Sequence, residues 1–485
     1  MAGIPEQATG ERTTLTTDST AIVWFRRDLR VADHPALSEA LVRFARVACL
    51  FVLDDRLIDG RSRSPRRLAF LRDSLLALSA DLDARGGALV VRRGKPDEVV
   101  LAFARELRAG AVLVSRDYTP YARRRDARVA AALGRFDIEF VAMPGLLVAE
   151  PEDITNQQGR GFSIFGAFLR RWTNLPLRPI VAAPEFISSP PGSGRLVASD
   201  LDCLSPSPAT FAPVEGGEGA ATRRLEQWVE GPFARYAMDR DRLDIAGTSG
   251  LSQDLHFGLL SPTTVVHRTA AAERFIEEVA WRDFYLHLAW HSPSVLRGPY
   301  RGALAGLPWV NDSDALSAWK SGQTGYPVVD AAMRQLVATG WMHNRARMIV
   351  ASFLAKHLLI DYREGERFFM EHLVDGDVAV NNGGWQWAGS TGAVAQPYFR
   401  IFNPVLQGQR FDPDGLFVRY WVPEVSDMPA RFVHAPWTAP LTIQHAARCV
   451  VGKDYPAPIV PHDLATARAR AVYAASYQNG AMARR

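Results

Sequence analysis

The sequence predicts a fold in two parts: an α/β domain on a doubly wound parallel sheet, a long connection, and a large all-α domain. Three observations carry this. Short apolar runs alternate with helix-period stretches in the N-terminal portion. Residues 184–220 are then dense in Pro, Ser and Gly, as in a connection draped over a surface. Beyond them the pattern is helical nearly to the end, without strand alternation. The expected boundaries are 1–20 for a disordered start, 21–145 for the α/β domain, 146–220 for the connection and 221–485 for the helical domain.

The runs AIVWF (21–25), RVACLFVL (46–53), ALVVR (88–92), AVLVS (111–115) and IEFVA (138–142) are β-branched or aliphatic, and short enough for buried strands. Between the second and third, SPRRLAFLRDSLLALSADLDARGG reads as a helix, with Pro near its start and glycines at its end. Parallel sheets of this kind place ligands beyond the carboxyl ends of their strands. No GxGxxG follows the first strand and no GxxxxGK[ST] occurs, so the dinucleotide and P-loop fingerprints are both missing.

At 485 residues, two or three compact units are expected. The formal charge of +4, from 56 Lys+Arg against 52 Asp+Glu, is too small to argue for a nucleic-acid partner; clustered arginines must do that. No apolar run approaches the ~18–20 residues that cross a bilayer, so no membrane association is expected. The opening MAGIPEQATGERTTLTTDST lacks an apolar signal core. Cys49, Cys203 and Cys449 are far apart and form neither a metal spacing nor an even disulfide set, so a reducing cytoplasm is the expected location.

The helical domain opens with GTSGLSQDLHFGLLSP (247–262), where Thr248, Ser249 and Ser252 put hydroxyls and flexible backbone ahead of a helix. Backbone N–H groups and the positive dipole end there suit a phosphate or pyrophosphate. Taken alone, the same residues are better explained by an ordinary helix N-cap. In EEVAWRDFYLHLAWHSP (277–293), His287 and His291 stand four apart, but no HExxH and no third ligand accompany them, so no metal is expected. Glu278 lies one helical turn before Trp281. The two are either a surface pair or a carboxylate reading the edge of a base stacked on the indole.

TGYPVVDAAMRQLVATGWMHNRARMIVASFL (324–354) and FFMEHLVDGDVAVNNGGWQWAGSTG (368–392) are the most informative stretches. Asp375, Asp377, Asn381, Asn382, Trp385 and Trp387 crowd around a Gly-Gly pair, which is poor helix material and poor core material. A large heteroaromatic cofactor with ring nitrogens and carbonyls would supply the partners these polar groups need. QPYFRIFNPVLQGQRFDPDG (396–415) mixes aromatics with Arg400 and Arg410, as a groove for phosphates and bases would.

Through VWFRRDLRVADHPAL (23–37), WMHNRxRM, DGDxAxNNGGWQW and PYFRIFNP, the chain resembles the DNA photolyase/cryptochrome family, and within it class I cyclobutane pyrimidine dimer photolyases. The likeness covers nearly everything after residue 20. It implies an α/β antenna domain, a linker and a helical FAD domain, in a monomer that acts on DNA containing pyrimidine dimers. By motif, Tyr236 and the segment Thr248, Ser249, Gly250, Leu251 and Ser252 would hold FAD, with Arg282 and Asn344 as further contacts. Arg347 and Asp375 would pair on the isoalloxazine with Asp377 nearby, and Asn381 would place its amide at flavin N5, tuning the reduced anion. Glu278 would contact the flipped-out dimer, packed by Trp281, Met348 and Trp387. Arg240, Arg345, Arg400 and Arg410 are implied phosphate contacts, with Asn344 and Trp281 also on the DNA side.

Photolyases for (6-4) photoproducts carry histidines where Asn344 and Met348 stand, which favours dimer repair. Cryptochromes usually replace Asn381 by Asp or Cys and add a long C-terminal extension; here Asn is kept and the chain stops soon after the helical domain. A light-sensing signalling protein on the same scaffold is the alternative, and a generic electron-transfer flavoprotein the blandest reading. SRDYTPYARRRD (115–126) is closer to members that bind 8-hydroxy-5-deazaflavin than to those that bind methenyltetrahydrofolate. Asp117, Tyr118, Tyr121 and Arg125 are the implied antenna neighbours, though each one singly also fits a basic surface helix with a capping turn. Two departures stand out. Of the three tryptophans that commonly carry electrons to the flavin, Trp385 and Trp309 have counterparts here but the middle position is Tyr362. Gly250 replaces a larger residue found in several relatives.

Overall fold

The computed structural model describes residues 19–60, 63–204, 214–393 and 399–482. The polar start expected to be disordered lies, through residue 18, outside the described residues. Five strands, β1 (Thr20–Phe25), β2 (Arg46–Leu53), β3 (Leu89–Arg93), β4 (Ala111–Ser115) and β5 (Glu139–Met143), form one sheet in the order β3-β2-β1-β4-β5. Every pairing is parallel. Every residue of β1 and β4 is buried, as near-continuous apolar runs require under helices on both faces. The strand order reverses between β1 and β4, so the ligand-accepting crevice opens beyond Phe25 and Ser115. The helix Pro65–Asp83 begins on an Ser64 cap with Pro at its first position.

The stretch 146–220 is more ordered than its expected role as a connection. It contains the helix Phe165–Trp172, with Phe168 and Trp172 buried. The indole Nε1 of Trp172 donates to Asp283 at 3.1 Å, and Phe168 meets Phe284 edge-on at 5.3 Å. An i, i+3, i+7 apolar stripe (Phe165, Phe168, Trp172) was available to dock on the long helix Glu273–His291, and that packing outweighs the loop-like composition further along.

One apolar core joins a face of the sheet to this long helix, running from Val23 and Leu113 to Ala280 and Phe284. A second lies wholly among helices and includes Trp319, Met333, Val350, Trp385 and Tyr455. No helix among the described residues is long and apolar enough to cross a membrane.

The Gly-Gly segment corrects the sequence reading: Val378–Ala388 is an α-helix. Asp377 caps it, accepting from the N–H groups of Ala379 and Val380 at 2.9 and 3.0 Å. Asn381 and Asn382 bond Glu366 of another helix and Gln386 bonds Asn382, so tertiary packing overrides weak propensity. A Cβ on Gly383 would come within 2.1 Å of the Tyr285 ring, whereas one on Gly384 would meet nothing within 4 Å. Gly383→Ala should therefore lower stability by about 1–3 kcal/mol through overpacking. Gly384→Ala, in the same helix, should raise it by up to ~1 kcal/mol. Denaturant midpoints of the two variants check this contrast.

Candidate functional site

The helix Val378–Ala388 and the loop before it organise the site. Asn381 donates through Nδ2 to the Glu366 carbonyl at 2.9 Å, and Asn382 donates to the Glu366 carboxylate at 3.1 Å. Gln386 donates to Asn382 Oδ1 and to the carbonyls of Val295 and Gly298. Burial pushes Glu366 up to about 7, with Asn382 opposing. Sequence reasoning passed over Glu366, because a lone acid in a helix carries no local signal.

Arg347 donates to Asp375 at 2.8 Å, on a carboxylate only 5% exposed, while Asp375 Oδ1 is buried without a hydrogen-bond partner. Burial works against the charge on Asp375, but Arg347 and then Ser252 hold the group below the usual carboxylate range. Thr248, Ser249 and Gly250 are half-buried just before the short helix Ser252–Phe257, and Leu251 is buried. Gly250 has φ +63°, a left-handed conformation that a larger residue adopts only under strain, which accounts for glycine at this departure. Tyr236 packs edge-on against Trp228 and Phe275. Arg282 donates to the carbonyls of Leu146 and Leu255 and pairs with Asp283, so its guanidinium lies in the seam between the two domains.

Beside this cluster, Arg240 donates to Glu278 at 2.5 Å and lies over the Tyr236 ring. Arg345 donates to Asp241 at 2.7 Å and covers Phe411. His343 senses Arg345, Arg347 and Arg240 together, so the three cations converge; burial chiefly pushes its pKa down to about 4. Trp281 is stacked by Phe165 at 3.6 Å with planes 9° apart, and flanked by Tyr285 at 5.4 Å. Phe165 was missed for the same reason as its helix. Asn344 is exposed and Met348 half-buried on the helix Asn344–Ser352. Trp387 separates two small hollows, one lined by Tyr285, Leu288 and Ala393, the other by Lys356, Arg400 and Phe402. Arg410, on Pro404–Phe411, lies over the same Phe411 ring that Arg345 covers.

Lys356 is buried and donates to the Arg400 carbonyl at 2.5 Å; burial, then Arg400, pushes it down to about 7. An unfolded lysine keeps its proton to about pH 10.4, so between these values only the unfolded chain is protonated and stability rises with pH. Below the folded value the cost stays constant. Lys356→Met should thus stabilise the protein by a few kcal/mol at neutral pH and lose that advantage in alkali. Urea midpoints at neutral and alkaline pH check the prediction.

Of the expected electron carriers, Trp385 is buried and Tyr362 is 2% exposed, while Trp309 meets Tyr362 edge-on at 6.3 Å. Trp385's ring neighbours are Phe369 at 5.0 Å and Trp319 at 6.0 Å, the second an indole that the sequence reading did not single out. Burial and then Glu366 raise the Tyr362 phenol above its ordinary value, with Thr391 as a hydrogen-bonding neighbour.

At the sheet crevice, Asp117 and Arg125 are buried and electrostatically coupled. Tyr118 donates to Glu150 at 2.5 Å and Tyr121 donates to Asp54. Arg125 pairs with Asp126 and lies over Trp24, while Arg125 Nη2 and Trp24 Nε1 are buried donors without acceptors. Among the described residues no group of three or more His, Cys, Asp or Glu side chains could hold a metal. His287 instead bonds the Ala149 carbonyl at 2.9 Å and packs on Phe168.

A family model for DNA photolyase matches residues 21–185, and one for the FAD binding domain of DNA photolyase matches residues 275–475. The deoxyribodipyrimidine photo-lyase of Synechococcus sp. is 39% identical over 474 residues, covering 93% of this chain and 96% of that protein. A bacterial class III photolyase from Agrobacterium tumefaciens has a similar structure, with TM-score 0.90, 34% identity and 97% of this chain and 100% of that one covered. An archaeal photolyase from Sulfolobus tokodaii with two FAD molecules gives TM-score 0.83 and 31% identity, over 94% of this chain and 99% of that one.

Proposed function

The chain belongs to the DNA photolyase family, and on that footing we propose that it is a deoxyribodipyrimidine photo-lyase, repairing cyclobutane pyrimidine dimers in DNA with light. The observation that carries the reading is a shared packing. The helix bearing Glu278 and Trp281 and the helix bearing Arg347 both pack on the helix that bears Asn381 and Trp387, with Glu278 paired to Arg240 and Arg347 to Asp375. Residues present fit FAD, since Asp375 offers a buried carboxylate oxygen without a partner and Ser252 adjoins it. Bound reduced FAD supplies the light-excited electron that splits the dimer ring and then returns.

The protein's residues supply the rest. Arg347, Asp375 and Asn381 set the electrostatics of the flavin, Trp281, Met348 and Trp387 shape an apolar recess, and Glu278 offers an acceptor to a base edge. Arg240, Arg345, Arg400 and Arg410 meet phosphates. Within the family our reading is class I, resting on the motifs VWFRRDLRVADHPAL, WMHNRxRM, DGDxAxNNGGWQW and PYFRIFNP, while Asn344 and Met348, where (6-4) enzymes carry histidines, favour dimer repair. The test uses purified reduced protein, a thymine-dimer oligonucleotide and blue light, with recovery of intact thymines as the expected result. Flavin bound with dimers unrepaired would instead mark a cryptochrome-type photoreceptor, and equal affinity for undamaged DNA a generic electron-transfer flavoprotein.

For the antenna we propose 8-hydroxy-5-deazaflavin, bound beyond β1 and β4 beside Asp117, Tyr121 and Arg125; Tyr118 is instead buried against Leu146, Leu286 and Trp290. The unpartnered donors Arg125 Nη2 and Trp24 Nε1 support a polar chromophore there. The absorption spectrum of the purified protein distinguishes it from methenyltetrahydrofolate and from a second FAD.

Tyr362 makes photoreduction of this enzyme depend on proton loss, because an oxidised phenol gives up its proton where an indole need not. Photoreduction should be slow or rerouted and fall further in Tyr362→Phe, with repair intact once the flavin is chemically reduced. Transient absorption checks this, and fast photoreduction that survives Tyr362→Phe removes the residue from the path.

A further inference from the structure

We infer that the α/β domain, beyond any antenna role, positions the flavin-facing helix through Arg27 and Arg67, an inference that rests on the reading of Val378–Ala388 as flavin-facing. Arg27 leaves the sheet just after β1, at the switch point, and donates to Asp377 Oδ2 at 2.5 Å and to the His256 carbonyl at 3.2 Å. The backbone under it is fixed. Leu29 N–H donates to the Phe257 carbonyl, Arg30 donates to the Gly258 carbonyl, and a Cβ on Gly258 would come within 1.9 Å of the Arg27 oxygen. Arg67, on Pro65–Asp83, donates to the carbonyls of Met370 and Leu373 at 2.6 and 2.9 Å. Gly376 lies so close to the Arg67 guanidinium that a Cβ there would be 2.4 Å from Nη1. Residues 373–377 are therefore held between two arginines of the α/β domain, while Asp375 between them pairs with Arg347.

The contact reaches the flavin side through a short mechanical path. Asp377 accepts Arg27 on Oδ2 and caps the helix with Oδ1, and its carbonyl accepts the Asn381 N–H at 2.8 Å. Burial opposes charge on Asp377, yet Arg27 and then His256 hold it well below the carboxylate range, so it is a fixed anion. Displacing Asp377 carries Asn381 with it. Arg27 and Arg67 are positioning residues in this account, touching no cofactor themselves.

The test compares full-length holoprotein carrying Arg27→Ala, Arg27→Lys, Arg67→Ala or Arg178→Ala. The last removes the pair Arg178–Asp33, whose neighbouring hydrogen bonds go to Val181, Ser261 and Thr264. Expected for Arg27→Ala and Arg67→Ala are FAD release faster on the order of tenfold, a shifted flavin midpoint potential and altered vibronic structure of the flavin bands. Arg27→Lys should recover part of this by restoring the charge at Asp377 without the fork to His256. Arg178→Ala should lower Tm and leave all three flavin readouts in place. The inference is overturned if Arg27→Ala lowers Tm as Arg178→Ala does while the flavin readouts stay put. Asn381→Asp separates the two readings: if it too leaves potential and bands unchanged, the flavin-facing assignment itself has failed. Should Arg27→Ala not fold, Arg27→Gln keeps hydrogen bonding without charge and gives the same readouts.

Discussion

Glu278→Ala should cut repair of dimer-containing DNA by about ten- to a hundredfold, the loss of a charge-assisted hydrogen bond, with FAD still bound. In the free protein Glu278 is engaged by Arg240, with side chains 30% and 23% exposed. Its carboxylate therefore has one oxygen committed and can offer the other to a base edge. Alanine removes that acceptor and also frees Arg240 for phosphate, so affinity for undamaged DNA should hold or rise while discrimination falls. Trp281→Ala should give a similar loss by another route, since stacking contributes ~1–3 kcal/mol per base. Phe165 already covers one face of the indole, so a base would have to stack on the opposite face. Single-turnover repair and band shifts at fixed salt read both effects. Full repair by Glu278→Ala would remove it from dimer recognition.

Arg347→Ala should destabilise the protein by about 3–5 kcal/mol near neutral pH, because it strands a buried carboxylate. With Arg347 present, the folded Asp375 pKa lies below the unfolded value, so its contribution is present above about pH 4 and lost as pH falls further. Without Arg347, burial alone should raise the folded pKa above the unfolded one. The variant then gains stability on acidification from neutral toward that lower value, opposite to the parent. Arg347→Ala/Asp375→Asn should recover much of the loss. Thermal scans between neutral and mildly acid pH, followed by flavin absorbance, check all three; a variant that tracks the parent would show Asp375 to be compensated otherwise.

The sheet was legible because buried parallel strands are written as unbroken aliphatic runs; AVLVS is β4 residue for residue. The helix Phe165–Trp172 was not, since its apolar stripe is short and the Pro- and Ser-rich composition beyond it dominated the reading. The site's residue types were legible at Asp375–Trp387, but its geometry was not. Asp377 meets Arg27 across 350 positions, and no local pattern encodes that meeting. The same holds for Phe165 on Trp281, where a short helix inside the expected connection supplies the stacking partner.

Asn381, Trp385 and Trp387 ride on one helix, whose rise of about 1.5 Å per residue spaces Asn381 and Trp385 by roughly 6 Å along its axis. Under the proposed assignments, redox tuning, electron delivery and lesion contact would therefore share a single rigid rotor. The Tyr285 ring seated against Gly383 acts as a detent that fixes the rotor's phase. A bulkier residue at Gly383 would turn all three outputs at once, so these functions can drift independently only through the surfaces that the helix faces.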